Sequence, residues 1–295
     1  MFSFEQKGSE KPVAEIIGNK KSRYGHLVGE YVYLHRKKNG SHFDENNYFD
    51  NFTLPPELHF KWLPDSRPNF TDCLAISAPR GQGKSTLASY MAETIKDCLN
   101  LTKDDIIVAK KSTIEDPAYK NLDPQYIYID DSFLENPVTC DEIASDGKCK
   151  VVICDDLDTI NSPSLKKATV KFVNQLLEEG RKYGIYTIIA QHHMAQGKDT
   201  KSIISESTYF VFFPEGTTSD FTYMLSKYAD MDKNIIKDLK KSNSRWVMYH
   251  QHAPRFILTE NNIRIYDHDK EIERIETEKL KKKEQRKKKV SESLY

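Results

Sequence analysis

Residues 78–85 read Ala-Pro-Arg-Gly-Gln-Gly-Lys-Ser, behind the apolar run Cys73-Leu74-Ala75-Ile76 and ahead of a segment with helical spacing. This is the pattern of a phosphate-binding loop in the setting such a loop needs. The chain must turn so tightly that successive backbone N–H groups converge on phosphate oxygens, and Gly81 and Gly83 permit this because they lack a Cβ. The loop feeds a helix N-terminus, itself an anion site. Lys84 then offers a point charge to the outer phosphates, Ser85 a hydroxyl to the magnesium ion that bridges them, and Thr86 a second phosphate contact. The nucleotide-binding set therefore runs through Ala78, Pro79, Arg80, Gly81, Gln82, Gly83, Lys84, Ser85 and Thr86. Its first position departs from the usual glycine, because Ala78 stands there. Arg80 reads equally well as a solvated residue at the loop tip.

A second constellation is Val151-Val152-Ile153-Cys154-Asp155-Asp156, an apolar run that ends abruptly in two carboxylates. A fully apolar strand is what a central parallel strand looks like when both its faces are covered. Its carboxyl end is where ligands bind in an open α/β sheet. Asp155 is read as the second magnesium ligand and Asp156 as the group that orients or deprotonates an attacking water. Tyr126-Ile127-Tyr128-Ile129-Asp130-Asp131 also ends in paired aspartates; Asp155 is preferred because its strand is less polar and because a helix and a strand ending in Gln191 come after it. Ser162-Pro163 is a helix start, with a capping hydroxyl and proline at the first helical position. Leu165, Ala168, Phe172, Val173, Leu176 and Leu177 then form a helical stripe that Gly180 or Gly184 can end. The next strand-like run delivers Gln191 beside the paired aspartates, where it can sense the terminal phosphate. Arg181, at the helix end, is placed to reach a neighbouring subunit's nucleotide. Arg245, ahead of a strand-like run at 246–249, is held in reserve for that same role in trans.

These parts require a particular scaffold. From Thr71 onward short β-rich runs at 106–109, 126–129, 151–154, 185–190 and 209–213 alternate with helical patterns, and the runs 246–249 and 256–258 would finish the sheet or its edge. Such alternation predicts an α/β fold with a mostly parallel sheet covered by helices on both faces. Leu87, Tyr90, Met91, Ile95 and Leu99 give the helix after the loop one apolar stripe. Residues 1–70 are polar, rich in Asn, Lys and aromatic residues, and carry one strand-like run at 29–34; they read as an N-terminal extension whose fold the sequence does not specify. The ATPase-like region is taken as 71–266 and a charged, basic tail, helical or disordered, as 267–295.

The order of phosphate loop, apolar strand with Asp155-Asp156, then Gly180-Arg181-Lys182-Tyr183-Gly184-Ile185 ahead of a strand ending in Gln191 resembles the FtsK/HerA superfamily of DNA-pumping ATPases. The paired aspartates and the segment Glu115-Asp116-Pro117-Ala118-Tyr119-Lys120 look most like the genome-packaging ATPases of poxviruses and other large DNA viruses. The resemblance covers about residues 70–260. It implies a RecA-like P-loop NTPase that binds ATP and Mg2+, with Lys84 and Ser85 on nucleotide and metal, Asp155 assisting the metal, Asp156 in the general-base position and Gln191 sensing phosphate. It also implies a homo-oligomeric ring that threads double-stranded DNA into a preformed capsid, contact with a capsid or portal protein, and residence in a viral factory of the host cytoplasm or in the virion. Other pumps of the superfamily, and a nucleotide-gated switch without turnover, stay open as alternatives.

Composition fits a globular protein of a reducing compartment. Of 295 residues 38% are hydrophobic, enough for a substantial core, and the formal net charge is zero, so any contact with nucleic acid must come from local patches. The five cysteines form no C-x-x-C pair, which argues against both a disulfide framework and a zinc cluster. No apolar run approaches the roughly 20 residues of a membrane span. One basic patch lies at 279–289, where lysine and arginine dominate; it reads as a phosphate-neutralising arm, a solvated tail or a nuclear-import signal. His192-His193 argues little for a metal, since adjacent residues on an extended chain point apart. Thr102-Lys103-Asp104-Asp105 matches a guanine-recognition pattern but falls just after the first helix, so it reads as an exposed turn, with ATP expected over GTP.

Overall fold

The computed structural model describes residues 1–8, 10–35, 48–194, 200–216, 219–267, 273 and 277. The tail read at 267–295 thus lies, apart from three positions, outside the described residues. In chain order the elements are β1 Phe2–Ser3, β2 Pro12–Gly18, β3 Tyr31–Leu34, β4 Asn51–Thr53, β5 Leu58–Trp62, β6 Cys73–Ser77, α1 Lys84–Leu99, β7 Ile106–Lys110, β8 Gln125–Tyr128, α2 Asp131–Glu135, α3 Cys140–Ile143, β9 Lys150–Asp155, α4 Pro163–Glu179, β10 Ile185–Gln191, α5 Lys201–Glu206, β11 Tyr209–Phe212, α6 Ser219–Tyr228, α7 Lys233–Leu239, β12 Val247–His250, β13 Phe256–Thr259 and β14 Asn262–Ile265.

A ten-stranded sheet has the order β4-β14-β13-β12-β11-β6-β10-β9-β7-β8. From β11 to β8 neighbouring strands run parallel, whereas β12, β13, β14 and β4 add on antiparallel. The expected mostly parallel α/β sheet is therefore present, extended by an antiparallel wing. The strand carrying Asp155 is central, and the rival strand ending at Tyr128 is the sheet's edge.

The pleat sorts each strand's residues between two cores. Cys73, Ala75, Val152 and Cys154 face a core completed by α2 to α7, including Leu165, Phe172, Val173 and Leu176 of α4. Leu74, Ile76, Val151 and Ile153 face the other core, which holds Leu87, Ala88, Met91 and Ile95 of α1. Truncating Phe172, 3% exposed and set edge-on to Phe133 at 5.6 Å, would cost about 3–5 kcal/mol. Helices thus cover both faces, but α1 does not cover its face alone. The N-terminal residues fold into a four-stranded antiparallel sheet of order β1-β3-β2-β5, whose Ala14, Ile16, Leu58, Phe60 and Trp62 pack into the α1 core. One short strand from the same region, β4, pairs with β14 in the large sheet, so the two sheets share residues from before position 71.

Local chemistry sets the element ends. Pro163 opens α4, but the Ser162 hydroxyl meets Ser164 Oγ at 3.2 Å and does not cap the helix as expected. Gly180 continues into a 3-10 turn, Gly180–Tyr183, and Gly184 at φ +70° ends it, a conformation that costs glycine nothing. The Thr102–Asp105 segment is an exposed turn from Thr102 to Asp104, as read, and departs from that reading only at Asp105. Thr102 and Asp105 form a capping box, and Asp105 is 2% exposed with its carboxylate 2.6 Å from Lys150 Nζ.

Candidate functional site

The loop between β6 and α1 has the shape its sequence predicts. Gly81 and Gly83 lie at φ +80° and +88°, and Gly83 is the residue from which α1 springs. Both values fall where a side chain would be strained. Ala78 has no positive φ, so the methyl at this position meets no backbone penalty; its N–H donates to the Gln191 carbonyl at 3.3 Å. That bond ties the loop's first residue to the end of β10. Pro79 is half-buried, while Arg80 and Thr86 face solvent at the loop surface.

Three carboxyl ends meet here because β6, β10 and β9 are parallel neighbours. Register pairs Gln191 with Ser77 and Ala190 with Asp155. Lys84 is 6% exposed; its Nζ contacts Asp156 Oδ1 and stands 3.7 Å from Asp155 Oδ1. Ser85 Oγ donates to Asp155 Oδ1 at 3.3 Å. Burial pushes the Asp155 carboxyl upward, Lys84 pulls it back, and Asp156 pushes it up again. The net rise means that these surroundings disfavour the charged form of Asp155. Asp156 is the more open of the two, with a side chain 39% exposed, and its backbone is left-handed at φ +52°. A non-glycine residue there is a site of stored strain; the N–H of Asp156 donates to the Ala190 carbonyl at 2.9 Å and holds it.

Gln191 is 5% exposed and its side-chain oxygen has no hydrogen-bond partner among the described residues. A buried amide oxygen in that state costs about 1–3 kcal/mol, which a donor arriving from a bound molecule or water would recover. Tyr119 makes a second such case. It is fully buried in the 3-10 turn Pro117–Tyr119, which Asp116 caps by accepting from the Ala118 N–H at 2.9 Å. Its hydroxyl faces Asp155 and Ser85 without closing a hydrogen bond of normal geometry, and burial followed by the Asp155 charge drives the phenol far up.

The residues Lys84, Ser85, Asp155, Asp156 and Gln191, each expected at the site, are thus brought together. Arg181 is not among them. It lies in the turn before β10, at the opposite end of the parallel strands, where it lines a cavity of about 800 Å³ with Asp65, Arg67 and Asp72. It therefore does not reach this chain's own phosphate loop. Asp130 is likewise elsewhere, spent on capping α2 through the Ser132 and Phe133 N–H groups. Sequence reasoning misses Tyr119, which sits in a segment marked only by its resemblance, and two residues beyond it. His192 Nε2 lies 3.4 Å from Asp156 Oδ2, and Asp158 accepts from the N–H groups of both His192 and His193 at 3.1 Å; the His-His doublet after Gln191 is the signal that could have found them. Arg245, read as a reserve for a neighbour's site, lies against its own subunit's loop.

Magnesium prefers hard oxygen ligands, few of them from protein, and completes its shell with phosphate and water. Ser85 Oγ and Asp155 Oδ1, with the orphaned Tyr119 hydroxyl beside them, are a donor set of that kind. Among the described residues no cluster of three or more His, Cys, Asp or Glu forms a resident metal cage, and no helix is long and apolar enough to cross a membrane.

No protein-family model matches the chain. Its sequence is 27% identical over 259 residues to protein V3 of the Sputnik virophage, which is uncharacterized, across 85% of this chain and 94% of that one. Among solved structures, B204, the DNA-packaging ATPase from Sulfolobus turreted icosahedral virus, superposes with a TM-score of 0.43 at 15% identity, over 65% of this chain and 98% of that one. The pCW3 conjugation coupling protein TcpA gives a TM-score of 0.44 at 12% identity, over 84% and 77%. The chain is similar over most of its length to a virophage protein and, more distantly in outline, to a viral DNA-packaging ATPase.

Proposed function

We propose that this protein is an ATP-hydrolysing motor of the FtsK/HerA type that moves double-stranded DNA and packages a viral genome into a preformed capsid. The observation that carries the reading is the Lys84, Asp155 and Asp156 cluster under a glycine-bent loop, with the orphaned buried Tyr119 hydroxyl facing Asp155 and Gln191 at the end of the neighbouring strand. Sequence likeness to a virophage protein supports the viral setting.

In this reading the loop amides and Lys84 bind the phosphates. An incoming phosphate competes with Asp156 for Lys84, and the carboxylate so released is free to hold a water and take its proton. Magnesium, held by Ser85 and Asp155, would neutralise charge on the bridging and terminal phosphate oxygens. Gln191 would donate its amide or accept from the attacking water, coupling the occupancy of the site to β10 and hence to Ala78. Arg181, at the other end of the strands, would complete the site of a neighbouring subunit in a ring, so that hydrolysis depends on assembly. The cargo is DNA led to the capsid, with a portal or capsid protein as partner and a viral factory as the location.

The test is ATP turnover by the purified chain with and without long double-stranded DNA, followed by DNA uptake in the presence of procapsids. Turnover that DNA raises and Lys84→Ala abolishes supports the motor. Nucleotide binding without turnover, under conditions where the protein assembles, replaces it with a nucleotide-gated switch. DNA-stimulated turnover with no response to procapsids points to another pump of the same kind.

A further inference from the structure

The antiparallel wing brings one more charge to the phosphate loop. Because β12 runs opposite to β11, its first residues arrive at the edge where the parallel strands end: Val247 pairs with Phe212, and Phe212 with Ser77. Arg245 immediately precedes that start. Its guanidinium reaches so far over the loop that a Cβ added to Gly83 would stand 2.9 Å from Nη2 and 3.8 Å from Cζ. The main chain of Arg245 is fixed, since its N–H donates to Glu260 Oε2 at 2.6 Å, while neighbouring Ser244 donates to the Trp246 carbonyl at 2.7 Å and accepts from the Glu260 N–H at 3.1 Å. The side chain, by contrast, has no hydrogen-bond or ion-pair partner among the described residues. A second contact from the same region converges on the loop: Gly216, in the turn Pro214–Gly216 after β11, is so close to Gln82 that a Cβ there would meet the Gln82 side chain at 2.8 Å.

A guanidinium without an ion-pair partner, laid over a loop whose backbone amides converge as an anion site, raises the local positive potential there. An arginine used for surface solubility has no reason to lie across the one glycine that starts the helix. We propose that Arg245 contacts the phosphate chain of a nucleotide bound in its own subunit, from the side of the loop opposite Asp155 and Asp156. The assignment rests on the nucleotide-binding reading above and differs from a trans arginine: each subunit carries its own clamp from β12, and a neighbour contributes a different residue.

Nucleotide affinity and subunit mixing test this together, with ATP and ADP as the probes. Arg245→Ala should weaken both by about ten- to a hundred-fold, the range of one charge-assisted contact, and Arg245→Lys by less, because a point charge keeps attraction but loses the planar fork. Thermal melts should match wild type, since the bonds that fix residue 245 come from its main chain. Mixing Arg245→Ala with Asp156→Asn subunits should restore no turnover, because a site lacking its own arginine gains nothing from a neighbour's. Restored turnover would make Arg245 a trans residue and overturn the proposal. So would wild-type affinity in Arg245→Ala beside a clear loss in Lys84→Ala. If wild-type protein binds neither nucleotide, the nucleotide-binding reading itself fails.

Discussion

A lysine and two aspartates meet at each end of strand β9. At its start, Lys150 (7% exposed) meets Asp105 (3%) at 2.6 Å and Asp146 (42%) at 2.7 Å. At its finish, Lys84 (6%) meets Asp155 (9%) at 3.7 Å and contacts the more open Asp156 (39%). Charge, burial and residue types nearly coincide, yet the surroundings differ. Burial pushes Asp105 up, but hydrogen bonds from Lys150 and Thr102 outweigh it and hold its carboxyl well below the usual range. The Asp155 carboxyl is pushed up instead. The first triad sits in regular backbone with its bonds made. The second has Asp156 in a left-handed conformation, a loop bent at two glycines, and buried polar atoms on Gln191 and Tyr119 without partners. A triad of charges is a structural rivet when its neighbours are satisfied and a site when they are not.

Matched substitutions at the two ends should separate those roles. Lys84→Ala is expected to lower ATP turnover by at least about a hundred-fold with little change in a urea melt. Lys150→Ala is expected to do the reverse, costing about 3 kcal/mol of stability by stranding a buried carboxylate while turnover per folded molecule stays near wild type. A Lys150→Ala protein that melts normally but has lost turnover would erase the distinction. Asp156→Asn should keep nucleotide binding and lose turnover by about 10²–10⁴-fold, the range of general-base catalysis; retained turnover would move the base to another group, with His192 next in line.

A pH titration sharpens the same contrast at the closed edge. Asp72, just before β6 and 4% exposed, has its carboxyl pushed up to about 7, chiefly by burial, although it accepts the Asp65 N–H at 2.6 Å. In the unfolded chain this group ionises near 3.8. The folded state therefore disfavours the charged form, so the penalty is absent below about pH 4, grows as pH rises, and is complete above about pH 7. Asp72→Asn should flatten that part of the stability curve and exceed wild type at pH 8 by an amount on the order of a few kcal/mol; parallel curves for the two proteins would remove Asp72 as the cause. The smallest effect is expected from Tyr119→Phe. Removing a hydroxyl without a partner should leave stability unchanged or higher by up to about 1 kcal/mol and raise the magnesium concentration needed for half-maximal turnover a few-fold. A loss of stability would mean that the hydroxyl is bonded within the folded chain.

Much of the site is legible in the sequence because its chemistry is local. The loop, the Asp155-Asp156 pair and Gln191 each stand at the carboxyl end of an apolar run, and parallel pairing of such runs brings their ends together without further information. Arg245 is different. Its place depends on β12 being antiparallel, which a four-residue apolar run cannot announce, so a residue that completes its own subunit's loop reads as one for a neighbour's. Asp105 misleads for a related reason: its partner Lys150 lies 45 positions away, and only the pairing of β7 with β9 brings the two together. The N-terminal sheet is legible only at β3, which lies in the strand-like run at 29–34; β1 is two residues long, shorter than any periodicity can mark, and the sheet's apolar residues acquire a common face only against α1.

The pairing of β4 with β14 has a kinetic side. Asn262 Nδ2 donates to Asn51 Oδ1 at 2.7 Å and to Thr53 Oγ1 at 2.8 Å, across separations of 211 and 209 positions. Closing a loop of that length is slow relative to forming α1 or the contiguous β12–β13 and β13–β14 hairpins. During synthesis the phosphate loop and its helix emerge long before the segment that carries Arg245 and the antiparallel wing. The strands from β12 to β14, made well after α1, therefore finish two things together, the outer edge of the sheet and the cover over Gly83, so that a chain still being made has its phosphate cradle without the clamp that holds what enters it.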